Sequence, residues 1–384
     1  MDDIPEITAM RGYASLGVVV YHMLIITNLW MPTLLTSMAL TWNTGVDFFF
    51  VLSGFLLSAP FIAQAGKQDL RDYYVKRIFR ILPVYYLSVV VVGFGFLLVY
   101  HDVTLQQIAA NLFFVQSFFR STFDSVNGVN WTLVIEEVFY ATLPIFSLFF
   151  LRGRWKVALP VCLAVSLVYK YAVISAYGNT GDLTFYLWQY PSYLANFALG
   201  ATLANFYVYD EARAARRHAS SIPLLACIGV LAATQYWTGM AYAGSNYRVL
   251  LPGELFPVEY AALIYAAITS PLGSVVNRAF VNPAASYLGR VSYSMYTWHL
   301  PVEEVLFTFG LPWLEWGCLS LAAVVGVATA SFYLVERPFL RLRARFLSTK
   351  AVEPPEGAPL RPVPVPHTPG RQAQIPGSAV RQAT

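Results

Sequence analysis

Long apolar segments recur along almost the whole chain and constrain its fold more than any other feature. A helix that crosses a bilayer needs about 20 mostly apolar residues. The sequence predicts such helices at 9–30, 45–65, 81–100, 131–151, 156–177, 184–207, 221–238, 255–272, 286–309 and 313–336. Only 12% of the residues are charged, against about 25% in a soluble domain. We therefore predict an all-α, polytopic membrane helical bundle of about ten transmembrane helices.

Basic residues are distributed unevenly between the loops that these spans define. If the N-terminus is cytoplasmic, only Arg120, Lys170 and Arg248 fall outside the predicted cytoplasmic segments. Cytoplasmic loops of membrane proteins carry such an excess of Lys and Arg. The distribution therefore predicts that both termini are cytoplasmic. It also accounts for the net charge of +4 without a nucleic-acid partner.

The composition changes near the C-terminus. We predict a transmembrane domain at 1–345 and a tail at 346–384. From about Ala351 the tail is rich in Pro, Gly and polar residues, and it has too few apolar residues to bury a core. We expect this tail to be disordered and cytoplasmic. The N-terminal sequence MDDIPEITAM lacks the basic region and cleavage site of a secretory signal, so the first helix is predicted to remain as a span.

Arg11 and His22 are candidate functional residues in the first predicted span. Eleven residues at about 100° each place both on one helix face, about 16 Å apart along the axis. Ionisable residues at membrane depth usually face protein or water. A neutral imidazole can act as a general base on a hydroxyl, although hydrogen bonds between helices could equally explain His22. Arg11 could anchor the helix end, bind a phosphate or polarise a carbonyl.

A basic cluster opens the third predicted span. In DYYVKRIFRILPVYYLS, Lys76, Arg77 and Arg80 lie at its cytoplasmic mouth. Simple topological anchoring explains such residues in many membrane proteins. The functional alternative is a phosphate-binding site for a cytosolic, multiply anionic donor such as a nucleotide-bearing cofactor.

Acidic residues lie within two further apolar stretches. GVDFFFVLSGFLLS places Asp47 near the outer end of the second span, where it is as suited to a structural role as to a catalytic one. NWTLVIEEVFY places Glu136 and Glu137 in the fourth span. Neighbours on a helix point about 100° apart, so we expect at most one of the two to face a given cavity. A buried carboxylate needs a partner, for which His22 or an arginine is suited.

The stretch SYSMYTWHLPVEE combines an intramembrane histidine, His299, with Pro301. We predict that the proline kinks or breaks the helix, and that the freed backbone tolerates polar surroundings only around a cavity. The spacing from His299 to Glu304 loosely matches the H-x4-D of soluble acyltransferases, but the proline and the glutamate argue against that motif. The chain has no G-x-S-x-G, Walker, HExxH or paired C-x-x-C motif, so we predict neither a covalent serine nor a metal site.

In chain order, these stretches resemble the motifs of the membrane-bound acyltransferase-3 family. Arg11-x10-His22 resembles the Arg/Lys-x10-His signature, and GVDFFFVLSGFLLS and VKRIFRILPVYYLS resemble the second- and third-helix motifs. WTLVIEEVFY resembles the Trp-Ser/Thr-Leu-x-x-Glu-x-x-Phe-Tyr element, with Glu136 at its acidic position. SYSMYTWHLPV and VERPFLR resemble the closing helices. The resemblance covers about residues 5–345.

The resemblance implies an acyl-CoA-dependent O-acyltransferase. It implies transfer of an acyl group, usually acetyl, from acyl-CoA (acetyl-CoA) to a hydroxyl of a carbohydrate such as a cell-envelope glycan, or of a secondary metabolite. Acyl-CoA is then a donor substrate, no cofactor is permanently bound, and the remaining partner is the lipid bilayer. The implied location is the bacterial plasma (inner) membrane. Lys76-Arg77 stands where the family often has Arg-Arg, which preserves the charge.

Together these arguments predict a polar cavity in which His22 is the general base. Glu136 is expected to orient the imidazole or stabilise its charged form, and Arg11 to guide the pantetheine arm or the thioester carbonyl. The expected CoA-phosphate ligands are Lys76, Arg77 and Arg80, with Arg11 as a further contact, and the second-rank site candidates are Asp47 and His299.

The alternative function is a membrane transporter of an anionic or acylated solute, because intramembrane charges also mark permeation paths. Such a transporter is expected to have paired halves with interrupted helices. The sequence shows no such internal symmetry by inspection.

Overall fold

The computed structural model describes residues 4–28, 34–100, 103–178, 180–209, 220–241, 250–271 and 274–347, which form helices and no strand. In chain order the α-helices are α1 (Pro5–Thr27), α2 (Leu34–Ala39), α3 (Gly45–Ala63), α4 (Leu70–Gly95), α5 (Leu105–Leu112), α6 (Trp131–Phe146), α7 (Trp155–Tyr177), α8 (Leu183–Leu187), α9 (Tyr190–Tyr209), α10 (Ile222–Ala241), α11 (Leu250–Thr269), α12 (Val275–Phe280), α13 (Pro283–Phe307), α14 (Trp313–Ser331) and α15 (Arg337–Leu342). From residue 348 on, the predicted tail lies outside the described residues, so its disorder stays a prediction.

Several of these helices are long and apolar enough to cross a membrane. Within the described residues, the 7 such stretches are Pro5–Thr27, Leu34–Ala63, Leu70–Val99, Trp131–Leu151, Trp155–Tyr177, Ile222–Met240 and Trp313–Arg345. Helices α9, α11 and α13 coincide with further predicted spans but do not reach the same apolarity. An all-helical, multi-pass membrane architecture is therefore confirmed. The count of about ten spans and the cytoplasmic location of the termini stay predictions.

Helices α1 and α13 run parallel and pack closely along much of their length. A Cβ atom added at Gly289 would lie 1.8 Å from the Thr8 carbonyl oxygen, and one at Gly12 would lie 2.3 Å from the Ala285 oxygen. Only glycine allows the two backbones to approach so closely, as at many interfaces between membrane helices. We call the end of the bundle at which α1 begins the proximal end, and the end at which α1 finishes the distal end.

An ion pair joins α4 to the end of α14 near the proximal end. Arg80 binds Glu336, whose other carboxylate oxygen accepts a hydrogen bond of 2.8 Å from the Ser294 hydroxyl on α13. Glu336 is buried and closes a π-helical turn at Phe332–Glu336. The pair therefore ties three helices together through one buried carboxylate.

Helix α13 continues past Pro301 to Phe307 without a break. Of the two predicted outcomes, a kink or a break, the break is therefore wrong. Proline has no N–H, which leaves the carbonyl four residues earlier without its helical donor. That carbonyl, of Thr297, accepts a hydrogen bond of 2.9 Å from the side-chain amide of Asn127. The loop between α5 and α6 is thereby fixed to the distal half of α13.

The contact between α1 and α13 predicts a strong effect of one added methyl group. In Gly289→Ala the Cβ atom would overlap the Thr8 backbone, so the helices must separate. This separation should lower the free energy of unfolding by about 1–3 kcal/mol. We expect a lower midpoint of thermal unfolding in detergent, measured by tryptophan fluorescence. Gly326→Ala on α14 is the control, because no atom lies within 4 Å of its added Cβ. Equal midpoints for the two variants would contradict the close contact.

The ion pair of Arg80 and Glu336 predicts non-additive changes in stability. Arg80→Met leaves a buried carboxylate without its cation, which should cost about 3–5 kcal/mol. The double variant Arg80→Met/Glu336→Leu removes both charges and should recover most of that loss. The thermal midpoints of the two single variants and the double variant provide the measurement. If the double variant is no more stable than Arg80→Met, the pair does not hold these helices.

Candidate active site

Two histidines that are 277 residues apart in sequence meet in the distal half of the bundle. Nε2 of His299 on α13 lies 3.2 Å from Nδ1 of His22 on α1. The ring centroids are 4.8 Å apart, and the ring planes are inclined at 63°. His299 is fully buried, whereas His22 is partly exposed. The structure therefore places the predicted base and a second-rank candidate in one site.

The hydrogen bonds of the two rings define which nitrogens carry protons. Nδ1 of His299 lies 2.7 Å from the carbonyl oxygen of Tyr296. A carbonyl oxygen only accepts, so in neutral His299 Nδ1 carries the hydrogen and Nε2 is an acceptor. Nδ1 of His22 lies 2.9 Å from the Val18 carbonyl oxygen. Its N–H donates both to that oxygen and to Nε2 of His299. The Nε2 atom of neutral His22 is then unprotonated and can act as a base.

His22 lines a cavity of about 650 Å³ at the distal end. This volume is in the range of small-molecule sites. The cavity lies between α13, the short helix α5, the residues just before α9, and the loop 113–130. Its polar and aromatic walls include Gln107, Asp124, Ser125, Trp188, Glu304 and Thr308.

Side-chain hydrogen bonds hold the loop 113–130 that forms one wall of this cavity. The amide of buried Asn111 donates to the Ser125 hydroxyl at 3.1 Å, and Gln107 donates to the Ser121 carbonyl at 3.1 Å. Two loop residues at the cavity, Asp124 and Val126, have φ angles of 58° and 66°. Such angles are unfavourable for a β-branched residue such as valine. Strain of this kind persists where surrounding contacts impose it, and it clusters at functional sites.

The cavity wall is acidic. The carboxyl groups of Asp124 and Glu304 lie close enough for their charges to interact. Burial against the surrounding loop raises the pKa of Asp124 to about 6, so its carboxyl is mostly ionised at neutral pH. None of the described residues that line the cavity is a lysine or an arginine. Arg120, in the same loop, is engaged in an ion pair with Asp182.

Glu136 does not hydrogen-bond to His22, so the structure corrects the expectation that it orients this imidazole. Its carboxylate accepts a hydrogen bond from Ser53, and it also interacts electrostatically with Tyr140. Glu136 lies one turn beyond Thr132 on α6, which descends from the distal end. The side chain that contacts Nδ1 of His22 is His299 instead.

The predicted CoA-phosphate ligands lie near the proximal end, where α4 begins. The charge of Arg80 is already engaged by Glu336. The guanidinium of Arg77 lies 5.9 Å from the centre of the Tyr140 ring, and its buried Nε atom makes no hydrogen bond within the described chain. Lys76 is partly exposed. Arg77 is therefore the member of the cluster with unused hydrogen-bonding capacity at a buried position.

A small pocket of about 110 Å³ opens beside Arg77 and is also lined by Tyr74, Glu137 and Tyr140. Arg11 is partly buried on α1, about 16 Å before His22 along the helix axis. The basic residues and the histidine pair therefore lie in opposite halves of the bundle.

Asp47 belongs to a different polar cluster. Its carboxylate accepts a hydrogen bond of 2.7 Å from the amide of Asn196 on α9. It also interacts electrostatically with Lys170, which forms an ion pair with Glu254.

Val46, about 100° away around α3, packs towards Tyr296 instead. Asp47 therefore points away from the histidines and stabilises the contact of α3 with α7, α9 and α11.

Comparison with known proteins identifies related chains. The family model of the acyltransferase domain matches residues 4–336. A putative acetyltransferase, ORF330, of Acidianus two-tailed virus is 27% identical over 345 residues, which cover 89% of this chain and 93% of that protein. No solved structure matches the chain.

Two longer bacterial proteins are also similar. The peptidoglycan O-acetyltransferase OatA of Listeria monocytogenes is 26% identical over 371 residues, covering 87% of this chain and 55% of that protein. A putative O-acetyltransferase of Staphylococcus aureus, SACOL0978, is 24% identical over 367 residues, covering 88% and 57%. The chain spans little more than half the length of these two relatives.

Because the family model covers most of the sequence, including both histidines, the chain belongs to the acyltransferase-3 family and is an acyltransferase.

Proposed function

We propose that this multi-pass membrane acyltransferase transfers an acyl group, acetyl in the first instance, from acyl-CoA to a hydroxyl of an acceptor. The observation that carries the proposal is the setting of His22. This residue lines a cavity large enough for a small acceptor, and its Nδ1–H is held by Val18 and His299. The names of the relatives, which are acetyltransferases and O-acetyltransferases, support acetyl as the group and oxygen as its destination.

In the proposed reaction the acceptor hydroxyl lies against His22. Nε2 of His22 takes the hydroxyl proton while the oxygen attacks the thioester carbonyl. The carbon–sulfur bond then breaks, and the departing thiolate takes the proton back from His22. His299 contributes by accepting the Nδ1–H of His22, which keeps the ring in one orientation and one tautomer throughout.

The donor is proposed to enter at the proximal end. The excess of Lys and Arg in the proximal segments favours a cytoplasmic location for that end, where acyl-CoA is available. Arg77 and Lys76 would bind the CoA phosphates, with Arg80 contributing less because Glu336 already engages it. Arg11 would guide the thioester arm towards His22. The acyl group would thus move through the bundle interior towards the opposite side of the bacterial plasma membrane.

The cavity lining supports a class of acceptor. Trp188 and Phe123 offer ring faces, while Gln107, Ser125 and Thr308 offer hydrogen-bonding groups. Such a lining suits a compact molecule with several hydroxyls, such as a sugar of an envelope glycan or of a secondary metabolite. The carboxylates at the wall disfavour an acceptor that carries its own negative charge.

Removal of the proposed base gives the first test. In His22→Ala the hydroxyl loses its proton acceptor, and we expect acetyl transfer to fall about 10²- to 10⁴-fold. The measurement is acceptor-dependent release of CoA from acetyl-CoA by purified protein in detergent. His367→Ala is the matched control, because that histidine lies outside the residues that the family model covers. Wild-type rates in a folded His22→Ala protein would contradict the proposal.

The donor site predicts a separable effect at Arg77. Arg77→Gln removes a charged hydrogen-bond donor from the proposed phosphate site, which is worth about 1.5–3 kcal/mol. We therefore expect KM for acetyl-CoA to rise at least about tenfold, with a smaller change in kcat. Arg71→Gln, an exposed arginine on the same helix, is the control. Equal KM values for both variants and the wild type would exclude Arg77 from the donor site.

A further inference from the structure

The cavity beside His22 has an acidic wall that the proposed reaction does not use. Asp124, from the loop 113–130, and Glu304, from α13, both line the cavity, and both residues are exposed. Neither forms an ion pair with a described residue. The acyl transfer proposed above needs a base, a donor thioester and an acceptor hydroxyl, but no carboxylate. These two groups therefore require an explanation of their own.

The packing around Gly128 brings the two carboxylates to one side of the cavity. A Cβ atom added at Gly128 would lie 3.0 Å from Oδ1 of Asp124 and 3.1 Å from Cδ2 of Leu300. The Asp124 carboxylate therefore lies near α13 at the level of Leu300, the residue that follows His299. Glu304 is four residues further along α13, and residues at this spacing are neighbours on one helix face. The charges of Asp124 and Glu304 accordingly interact.

The arginine of the same loop is engaged elsewhere. Arg120 forms an ion pair with Asp182, and its guanidinium lies 5.6 Å and 5.5 Å from the centres of the Phe185 and Tyr186 rings. None of the described residues that line the cavity is a lysine or an arginine. Neighbouring like charges repel each other, and a cation placed between them stabilises both. The described chain thus leaves this compensation to a molecule that enters the cavity.

Aromatic rings in the same lining also favour a cation. Phe123, the residue before Asp124, and Trp188 both line the cavity, and their ring centroids are 5.9 Å apart. Trp188 stacks on Trp131, which fixes the orientation of its ring. The faces of such rings attract an ammonium group within about 6 Å. Carboxylates combined with aromatic rings therefore suit a protonated amine.

We propose that the acceptor carries a protonated amine, which Asp124 and Glu304 bind while a hydroxyl of the same molecule lies against His22. The inference rests on the proposed function and specifies its acceptor as a hydroxylated amine, such as an amino sugar. The cavity of about 650 Å³ has room for one molecule of this kind. Both carboxylates accept hydrogen bonds from the ammonium group, and such charged hydrogen bonds are about twice as strong as neutral ones.

The same contact selects oxygen over nitrogen as the atom that is acylated. An ammonium nitrogen has no lone pair and cannot attack a thioester, and two adjacent carboxylates favour this charged form of the amine. His22 removes the hydroxyl proton, the carbon–oxygen bond forms, the carbon–sulfur bond breaks, and the thiolate takes that proton. The ammonium group keeps all of its own protons. The product is therefore an O-acyl ester that still carries its amine.

Three sugars of similar size test the charge preference. Glucosamine, glucose and glucuronic acid carry a positive charge, no charge and a negative charge, respectively. All three are mixed with the purified protein in detergent, and saturation-transfer NMR measures which of them binds, whether or not it is acylated. We expect glucosamine to bind at least about tenfold more tightly than glucose, because its ammonium group adds charged hydrogen bonds. Glucuronic acid should bind least.

The double variant Asp124→Asn/Glu304→Gln removes both charges and keeps both side-chain shapes. Asparagine tolerates the φ angle of 58° at position 124, so the loop should keep its conformation. We expect the affinity for glucosamine to fall to within about twofold of that for glucose, since the charged hydrogen bonds are lost. Glu315→Gln is the matched control and should keep the preference, because this exposed glutamate of α14 does not line the cavity. A glucosamine preference that is absent from the wild type, or that survives in the double variant, would overturn the inference.

Transfer assays separate this inference from the proposed function. With acetyl-CoA and glucosamine, we expect an O-acetyl product, which mild alkali cleaves, whereas an N-acetyl product resists alkali and would contradict the role of the carboxylates. If transfer depends on His22 but the carboxylates do not select glucosamine, only the acceptor class fails. If the carboxylates select glucosamine but His22→Ala transfers acetyl as fast as the wild type, the proposed function itself fails.

Discussion

The hydrogen bond between His22 and His299 is the interaction on which the candidate active site depends. It forms because α1 and α13 approach each other backbone to backbone at Gly12 and Gly289, nearer the proximal end. Helix α13 also carries Pro301, which has no N–H to donate. The side-chain amide of Asn127, in the loop that forms one wall of the cavity, donates to the freed carbonyl instead. The orientation of the base and the shape of its cavity thus derive from the packing of one helix.

Buried charge is distributed in a way that separates structural from functional candidates. Arg80 and Glu336 form an ion pair near the proximal end, and Lys170 and Glu254 form another beside Asp47. Both pairs stabilise the packing of helices. Ion pairs of this kind are expected inside a membrane bundle. Arg77 has unused hydrogen-bonding capacity at a buried atom near the proximal end, on the donor side of the path proposed for the acyl group.

Helix periodicity and motif order predicted much of this arrangement from the sequence. The all-helical membrane architecture followed from segment length and apolarity, and His22 was the leading candidate because a histidine in such a segment needs a protein or water environment. The periodicity defines the face of a helix but not the helix that packs against it. For that reason the sequence assigned Glu136 to His22, whereas tertiary packing brings His299 there and places Glu136 beside Ser53.

Other features lay beyond local sequence reasoning for the same reason. The pairing of Arg80 with Glu336 joins residues 256 positions apart, and only the fold brings them together. The sequence did contain a signal for the role of Asn127. A proline within a helix frees the carbonyl four residues earlier, and that carbonyl needs another hydrogen-bond donor. The donor's identity could not be read from the helix itself. Asp47 and Val46, neighbours in sequence, face different clusters because α3 packs against helices on several sides.

The protonation state of His22 tests the central claim most directly. Nitrogen-15 NMR of histidine-labelled protein in detergent, with resonances assigned from single-histidine variants, reports which ring nitrogen carries the hydrogen. The account predicts that at neutral pH Nδ1 of both His22 and His299 is protonated and Nε2 of His22 is bare. A hydrogen on Nε2 of neutral His22 would contradict it, because the nitrogen assigned to take the acceptor's proton would then already be occupied.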